Sequence, residues 1–157
     1  MLLVNSPKIG KSLFATEILE GVRLKGHKAV YLANEYSNRR LQERYSRIAP
    51  DPDDGVMFFG GRSNDKPIPK DANALLFLSA IIKKFQAKLI IIDTNQAIRI
   101  ANKKESYGSA EEEFSALRHL AHKLKITIIC LHHTKKKNFE IEPLDSILGS
   151  QEIAATI

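Results

Sequence analysis

Short, uninterrupted apolar runs alternate along this chain with segments whose apolar residues recur at helical spacing. The clearest runs are KLIIID at 88–93 and ITIICLHH at 126–133, both rich in β-branched residues. A strand that is apolar at successive positions must be covered on both faces, which is typical of parallel sheets. Runs at 2–5, 28–34 and 56–59 have the same character. The sequence therefore predicts an α/β fold, a parallel sheet flanked by helices on both faces.

Four amphipathic segments separate these runs. The first covers residues 11–25 and stops before a glycine, and the second follows Ser37, a residue type that caps helix N-termini. A third segment precedes the run at 88–93. In the fourth, Ser109 and Glu112 have the spacing of a capping box. Strand, helix and strand thus alternate along the whole chain, as in βαβ units.

Length and composition limit the function classes. A chain of 157 residues suits one domain, so we expect a single domain over 1–157. The net charge of +6 is compatible with a polyanionic partner such as nucleic acid. Cys130 is the only cysteine, which excludes an internal disulfide and a cysteine-based metal site. The sequence contains neither an apolar stretch of membrane-spanning length nor a signal-peptide pattern, so we expect a cytoplasmic protein without membrane contact.

The stretch NSPKIGKSLF at 5–14 follows the first apolar run and opens the first helix. Its end matches the phosphate-binding pattern G-x-x-x-x-G-K-[ST], although Asn5 replaces the first glycine. Asn tolerates left-handed backbone geometry better than most residues, so the pattern is weakened rather than broken. Lys11 would contact the β- and γ-phosphates of ATP, and the Ser12 hydroxyl would bind Mg²⁺. The predicted nucleotide-binding residues are Pro7, Lys8, Ile9, Gly10, Lys11, Ser12 and Leu13.

Asp93 ends the apolar run LIIID. An aspartate at the end of a buried strand can simply form a turn. In a parallel sheet with a phosphate loop it also has the position of a Walker B aspartate, which holds Mg²⁺. The sequence therefore predicts Ser12 and Asp93 as the metal-binding pair.

Five stretches, in their order along the chain, resemble one known family. They are NSPKIGKS, VYLANE, LIIIDTNQAIR, LRHLAHKLKITIICLHHTKKK and ILGSQEIAAT. Together they are similar to the RecA-like AAA-family P-loop ATPases related to the plasmid replicative helicase RepA. The resemblance implies a RecA-like ATPase domain with ATP as substrate and Mg²⁺ as cofactor. It also implies single-stranded DNA as partner and assembly into a homo-oligomeric ring, a hexamer in the simplest case.

The resemblance also implies individual roles. Glu35, at the end of the second strand, matches the catalytic glutamate that activates the attacking water, while Lys11 stabilises the transferred phosphoryl group. His132 or His133 would sense the γ-phosphate; we favour His133, although strand alternation alone leaves the choice open. The lysines at 135–137 would contact DNA, and the alternative is a solvated charge run.

Two further expectations concern the extent of the chain. Relatives continue beyond the region matched here, so we expect the domain to be incomplete at its C-terminal end and to lack the basic finger that serves a neighbouring subunit. The leading function is an ATP-hydrolysing motor core acting on DNA. The alternative is a nucleotide-dependent DNA-binding or regulatory switch with little hydrolysis of its own. A recombination ATPase of the same fold is a third candidate, and a small-molecule phosphotransferase fits the residues less well.

Overall fold

A computed structural model describes residues 2–5, 10–33, 36–49, 55–60, 72–93 and 108–133. They form five strands and four helices in alternation. In chain order these are β1 (Leu2–Asn5), α1 (Lys11–Leu24), β2 (Lys28–Ala33), α2 (Asn38–Tyr45), β3 (Val56–Gly60), α3 (Ala72–Phe85), β4 (Ala87–Asp93), α4 (Gly108–Leu124) and β5 (Thr127–His133). The predicted α/β fold is confirmed.

The five strands form one sheet in the order β1-β5-β4-β2-β3, and every neighbouring pair is parallel. The last strand, β5, therefore lies between β1, which precedes the phosphate-loop sequence, and β4, which ends in Asp93. Because all strands run in the same direction, the strand-to-helix loops collect at one edge of the sheet and the helix-to-strand turns at the other. Ligands of open parallel sheets bind at the first of these edges.

Each face of the sheet is covered by two helices. Buried residues of α1 and α2 pack with odd-numbered residues of the central strands, such as Tyr31 and Ile91. Buried residues of α3 and α4 pack with even-numbered residues, such as Ile90 and Cys130. The uninterrupted apolar runs are therefore buried on both sides, as their composition predicted.

One local prediction is wrong. Ser109 was expected to cap α4, but the helix already begins at Gly108, so Ser109 lies within the first turn. An N-cap residue has non-helical backbone angles and must precede the helix, which excludes this role for Ser109. The corresponding prediction for α2 is confirmed, because the Ser37 side chain accepts a hydrogen bond from the Arg40 backbone N–H at 3.4 Å.

Candidate nucleotide-binding site

The helix that follows the phosphate-loop sequence begins without a side-chain cap. Gly10 is its N-cap, with φ 80° and ψ 11°, and its carbonyl accepts the first helical hydrogen bond from the Phe14 N–H at 2.9 Å. A left-handed backbone at this point suits glycine and strains other residues. The first N–H groups of α1 and the positive end of its dipole lie at this point, and helix N-termini of this kind favour an anion such as a phosphate.

Ser12 and Asp93 meet although 81 positions separate them in the sequence. The Ser12 hydroxyl, in the first turn of α1, donates a hydrogen bond of 2.8 Å to Oδ2 of Asp93 at the end of β4. Asp93 is only 5% exposed. The predicted metal-binding pair is therefore brought together.

A tyrosine that the sequence argument missed completes this contact. The Tyr31 hydroxyl donates a hydrogen bond of 2.6 Å to the same Asp93 oxygen. Tyr31 lies in β2, the neighbour of β4, and is 2% exposed. Burial, together with the nearby Asp93 carboxylate, raises the pKa of the Tyr31 phenol well above its usual value. Tyr31 therefore remains protonated and donates to Asp93 throughout the physiological pH range.

Aromatic packing holds the Tyr31 ring. Its centroid lies 6.2 Å from that of Phe58 in β3, and Phe58 in turn lies 5.3 Å from Tyr45 in α2. The Tyr45 hydroxyl donates to a Glu20 oxygen in α1, and the Glu20 carboxylate also pairs with Arg23 at 2.7 Å. Two buried aromatic hydroxyls on the same face of the sheet thus contact two different carboxylates, Asp93 and Glu20.

The side chain of Lys11 is half-buried and lies close enough to the Asp93 carboxylate to interact with it electrostatically. Partial burial lowers the pKa of its ammonium group, and the Asp93 carboxylate acts in the opposite direction. Desolvation disfavours the charged form of a lysine, so an added anion would stabilise it. The first turn of α1 therefore presents a cation, a hydroxyl and backbone N–H groups next to a buried carboxylate.

The donor set fits a hard divalent cation that keeps other ligands. Among the described residues, no group of three or more His, Cys, Asp or Glu side chains is placed to hold a metal ion. Mg²⁺ does not require such a cage, because it is usually held by one or two protein oxygens together with water and substrate phosphates. The Ser12 hydroxyl and the Asp93 carboxylate are oxygen ligands of this kind.

The register of the strands locates the other candidates. Asn5 is the last residue of β1 and pairs with His133, the last residue of β5. Asn5 therefore has an extended backbone, and the left-handed geometry considered for it in the sequence is not needed. His132 is buried among residues of the face that α3 and α4 cover, opposite to α1. The face that α1 covers, where Asp93 lies, is therefore not the one that His132 occupies.

Ala33, the last residue of β2, pairs with Asp93. Glu35 follows two residues later in the sequence. Close packing fixes the start of the next helix, because a Cβ added to Gly60 at the end of β3 would lie 2.4 Å from the Tyr36 carbonyl oxygen.

Several predicted site residues lie outside the described residues: Pro7, Lys8, Ile9, Glu35, Lys135, Lys136 and Lys137.

Comparison with known proteins agrees with this geometry. The family model described as an AAA domain matches residues 1–138. No curated protein matches the chain. None of the described helices is long and apolar enough to cross a membrane.

Proposed function

The chain belongs to the AAA-domain family of P-loop ATPases, and we propose that it is the ATP-hydrolysing core of a DNA motor related to the replicative helicase RepA. The observation that carries this proposal is the 2.8 Å contact between the Ser12 hydroxyl and the Asp93 carboxylate. A hydroxyl after the phosphate-loop lysine and a carboxylate at the end of another strand of the same sheet are the two protein ligands that P-loop ATPases offer to Mg²⁺.

Each residue at the strand ends then has a separate task. The backbone N–H groups of the loop and of α1 bind the phosphates of ATP, and Lys11 neutralises charge on the β- and γ-phosphates. Ser12 and Asp93 would hold Mg²⁺, which would neutralise charge on the phosphate oxygens when bound. Glu35 orients the attacking water and accepts its proton as the bond from the γ-phosphorus to the bridging oxygen breaks.

Coupling to DNA is assigned to the end of β5. His133 pairs with Asn5 in the sheet, immediately before the phosphate-loop sequence. A change in the γ-phosphate would be transmitted from His133 to the lysines at 135–137, which bind the backbone of single-stranded DNA. We also propose that the protein is cytoplasmic and assembles into a homo-oligomeric ring. The resemblance to RepA-related ATPases suggests a hexamer.

The test is ATP turnover with and without single-stranded DNA, combined with light scattering for the assembly state. Lys11→Ala should abolish nucleotide binding, whereas Lys25→Ala, at the far end of the same helix, should not change it. Glu35→Gln should retain binding and stop turnover, because an amide cannot accept the proton. Glu17→Gln, an exposed residue of α1, is the matched control.

Three results would contradict parts of this proposal. Unchanged ATP affinity in Lys11→Ala would remove the phosphate-loop assignment. Tight binding without turnover in the parent chain would favour the regulatory switch over the motor. A monomer at every protein concentration, with and without ATP, would remove the ring.

A further inference from the structure

Lysines gather at the edge of the sheet opposite to the nucleotide site. The stretches 24–28, 82–88 and 122–126, where α1, α3 and α4 turn into β2, β4 and β5, contain seven lysines and no aspartate or glutamate. These lysines are all exposed: Lys25, Lys28, Lys83, Lys84, Lys88, Lys123 and Lys125. We call this surface the basic edge. Three aspartates at 51–54 precede β3 in the sequence and lie outside the described residues.

Helix dipoles explain only some of these charges. Lysines in the last turn of a helix stabilise its negative end, which accounts for Lys83, Lys84 and Lys123. Lys28 and Lys88 belong instead to strands, and they are the only exposed residues of β2 and β4, whose other residues are all buried. Two cations at the starts of adjacent strands are not needed by any helix.

The turns at this edge show a second unusual feature. Each requires one residue in the left-handed region: Gly26 at φ 75°, Gln86 at φ 58° and Lys125 at φ 51°. Glycine is the residue that adopts this conformation without cost, whereas a side chain there costs on the order of 1 kcal/mol. Two of the three turns nevertheless carry long polar side chains. Strain that is retained in this way is typical of functional positions.

A cleft of about 510 Å³ opens between the lysines. Its floor is apolar and is formed by Ile82, Ala87 and Leu124. Its rim is polar and comprises Gly26, His27, Lys28, Lys83, Gln86 and Lys88. The Lys28 ammonium lies 5.2 Å from the centroid of the Phe85 ring, which fixes one side of the rim. A cleft of this size and composition is suited to a small ligand or to one unit of a polymer.

We propose that the basic edge binds single-stranded nucleic acid, with phosphates on the rim lysines and a base or sugar over the apolar floor. Lysine ammonium groups bind phosphates as point charges. The four other lysines of the basic edge could contact successive phosphates of the same strand. A duplex directs its phosphates outward and its bases inward, so it would leave the apolar floor uncovered. A run of acidic side chains, such as polyglutamate, carries carboxylates but no planar apolar group to cover that floor. Single-stranded nucleic acid meets both requirements.

The first test compares two triple variants in a fluorescence anisotropy titration with labelled oligothymidylate. The cleft triple is Lys28→Gln, Lys83→Gln and Lys88→Gln. The control triple, on the exposed surface of α2 and of the turn that follows it, is Arg39→Gln, Arg40→Gln and Arg47→Gln. Each triple removes the same charge, and each removes one cation–π contact, because Arg40 lies 5.4 Å from the Tyr36 ring.

We expect the cleft triple to bind at least about tenfold more weakly near 0.1 M salt, since each single-strand phosphate contact contributes a slope of about −0.7 in log K against log salt. The slope should decrease in magnitude by roughly 2 for three contacts. The control triple should remain within about twofold of the parent, because its exposed charges do not line the cleft. Circular dichroism and binding of a fluorescent ATP analogue verify that both triples are folded.

The second test locates the strand directly. Cys130 is buried, and burial raises the pKa of its thiol to about 12, so we expect it not to react with maleimides. A benzophenone maleimide attached to Lys83→Cys should therefore cross-link to oligothymidylate, whereas the same probe on Arg47→Cys should not. Both measurements work without ATP, so they are independent of the proposed hydrolysis.

Four outcomes would overturn the proposal. Two concern the variants: equal losses of affinity in both triples, or no loss in the cleft triple. The third is equal cross-linking from Lys83→Cys and Arg47→Cys. The fourth is displacement of oligothymidylate by duplex DNA or polyglutamate at the same charge concentration as by unlabelled oligothymidylate, which would show that the edge attracts charge alone.

Discussion

Replacing Tyr31 by phenylalanine removes one hydroxyl and leaves the ring that packs on Phe58. The lost contact is the 2.6 Å hydrogen bond to the Asp93 carboxylate. A hydrogen bond to a charged group contributes about 1.5–3 kcal/mol to stability. For a chain of 157 residues, a loss of about 2 kcal/mol lowers the melting temperature by roughly 4–8 °C. We therefore expect Tyr31→Phe to be folded and moderately less stable.

The effect on Mg²⁺ distinguishes a positioning role from a structural one. If Ser12 and Asp93 hold Mg²⁺ as proposed, the Ser12 hydroxyl would no longer donate to Asp93, and the Tyr31 hydroxyl would keep the Asp93 carboxylate oriented. Loss of a residue that orients a metal ligand typically lowers metal affinity by about 10–100-fold. Tyr31→Phe should consequently need at least about tenfold more Mg²⁺ for half-maximal binding of a fluorescent ATP analogue. Nucleotide affinity without Mg²⁺ should not change.

Tyr45→Phe is the matched control. It removes the hydroxyl of the other tyrosine that packs on Phe58, but this hydroxyl contacts Glu20 in α1 rather than Asp93. Its melting temperature should decrease, while its Mg²⁺ requirement should remain that of the parent. If both variants lose stability and neither changes the Mg²⁺ titration, Tyr31 stabilises the fold and does not position Asp93.

Three further results are expected. Asn5→Gly should leave nucleotide affinity within about twofold, because Asn5 already has the extended backbone of β1; a larger loss would reveal a contact of the Asn5 side chain. Lys125→Gly should raise the free energy of unfolding by about 0.5 kcal/mol, because the turn has φ 51°, whereas Lys125→Ala should not, as urea titrations would show. The raised pKa of Tyr31 predicts alkaline instability. The phenol of the unfolded chain ionises near pH 10, whereas the buried phenol of the folded chain stays protonated. The free energy of unfolding is therefore unaffected by this group below pH 10 and decreases above pH 10 by about 1.4 kcal/mol per pH unit. Unfolding of Tyr31→Phe should therefore depend less on pH above pH 10, and parallel profiles would contradict the burial argument.

Much of the fold could be predicted because uninterrupted apolar runs of this length are compatible with few kinds of secondary and tertiary structure. LIIID at 89–93 is apolar up to Asp93 and can only be a strand covered on both faces. The meeting of Ser12 and Asp93 could also be predicted, since parallel strands place their carboxyl ends at one edge. Both inferences depend only on the spacing of residue types along the sequence.

Tyr31 could not be assigned in the same way, because its contact depends on register. Ala33, not Tyr31, pairs with Asp93, and Tyr31 reaches the carboxylate from two residues earlier on the same face. One signal was nevertheless present. A tyrosine inside an otherwise aliphatic strand must find a partner for its hydroxyl when it is buried. The basic edge was missed for a related reason, since three turns distant in sequence create it together.

The two ends of the sheet should respond differently to ATP. The central strand β4 has seven residues, so the proposed nucleotide site and the basic edge are separated by about 20 Å. The strands between them are buried on both faces and close-packed, and coupling between two sites requires an element with two arrangements that both sites bias. The start of β4 lies within this packed sheet, whereas the lysines at 135–137 come two residues after the end of β5 in the sequence, and β5 pairs with β1. ATP should therefore strengthen DNA binding through these lysines alone. Neutralising them should erase the ATP-dependent increase, while the cleft triple should weaken DNA binding by the same factor with and without ATP. If the cleft triple erased the ATP effect instead, the sheet would have to transmit nucleotide state along its strands, and its central core could not be rigid.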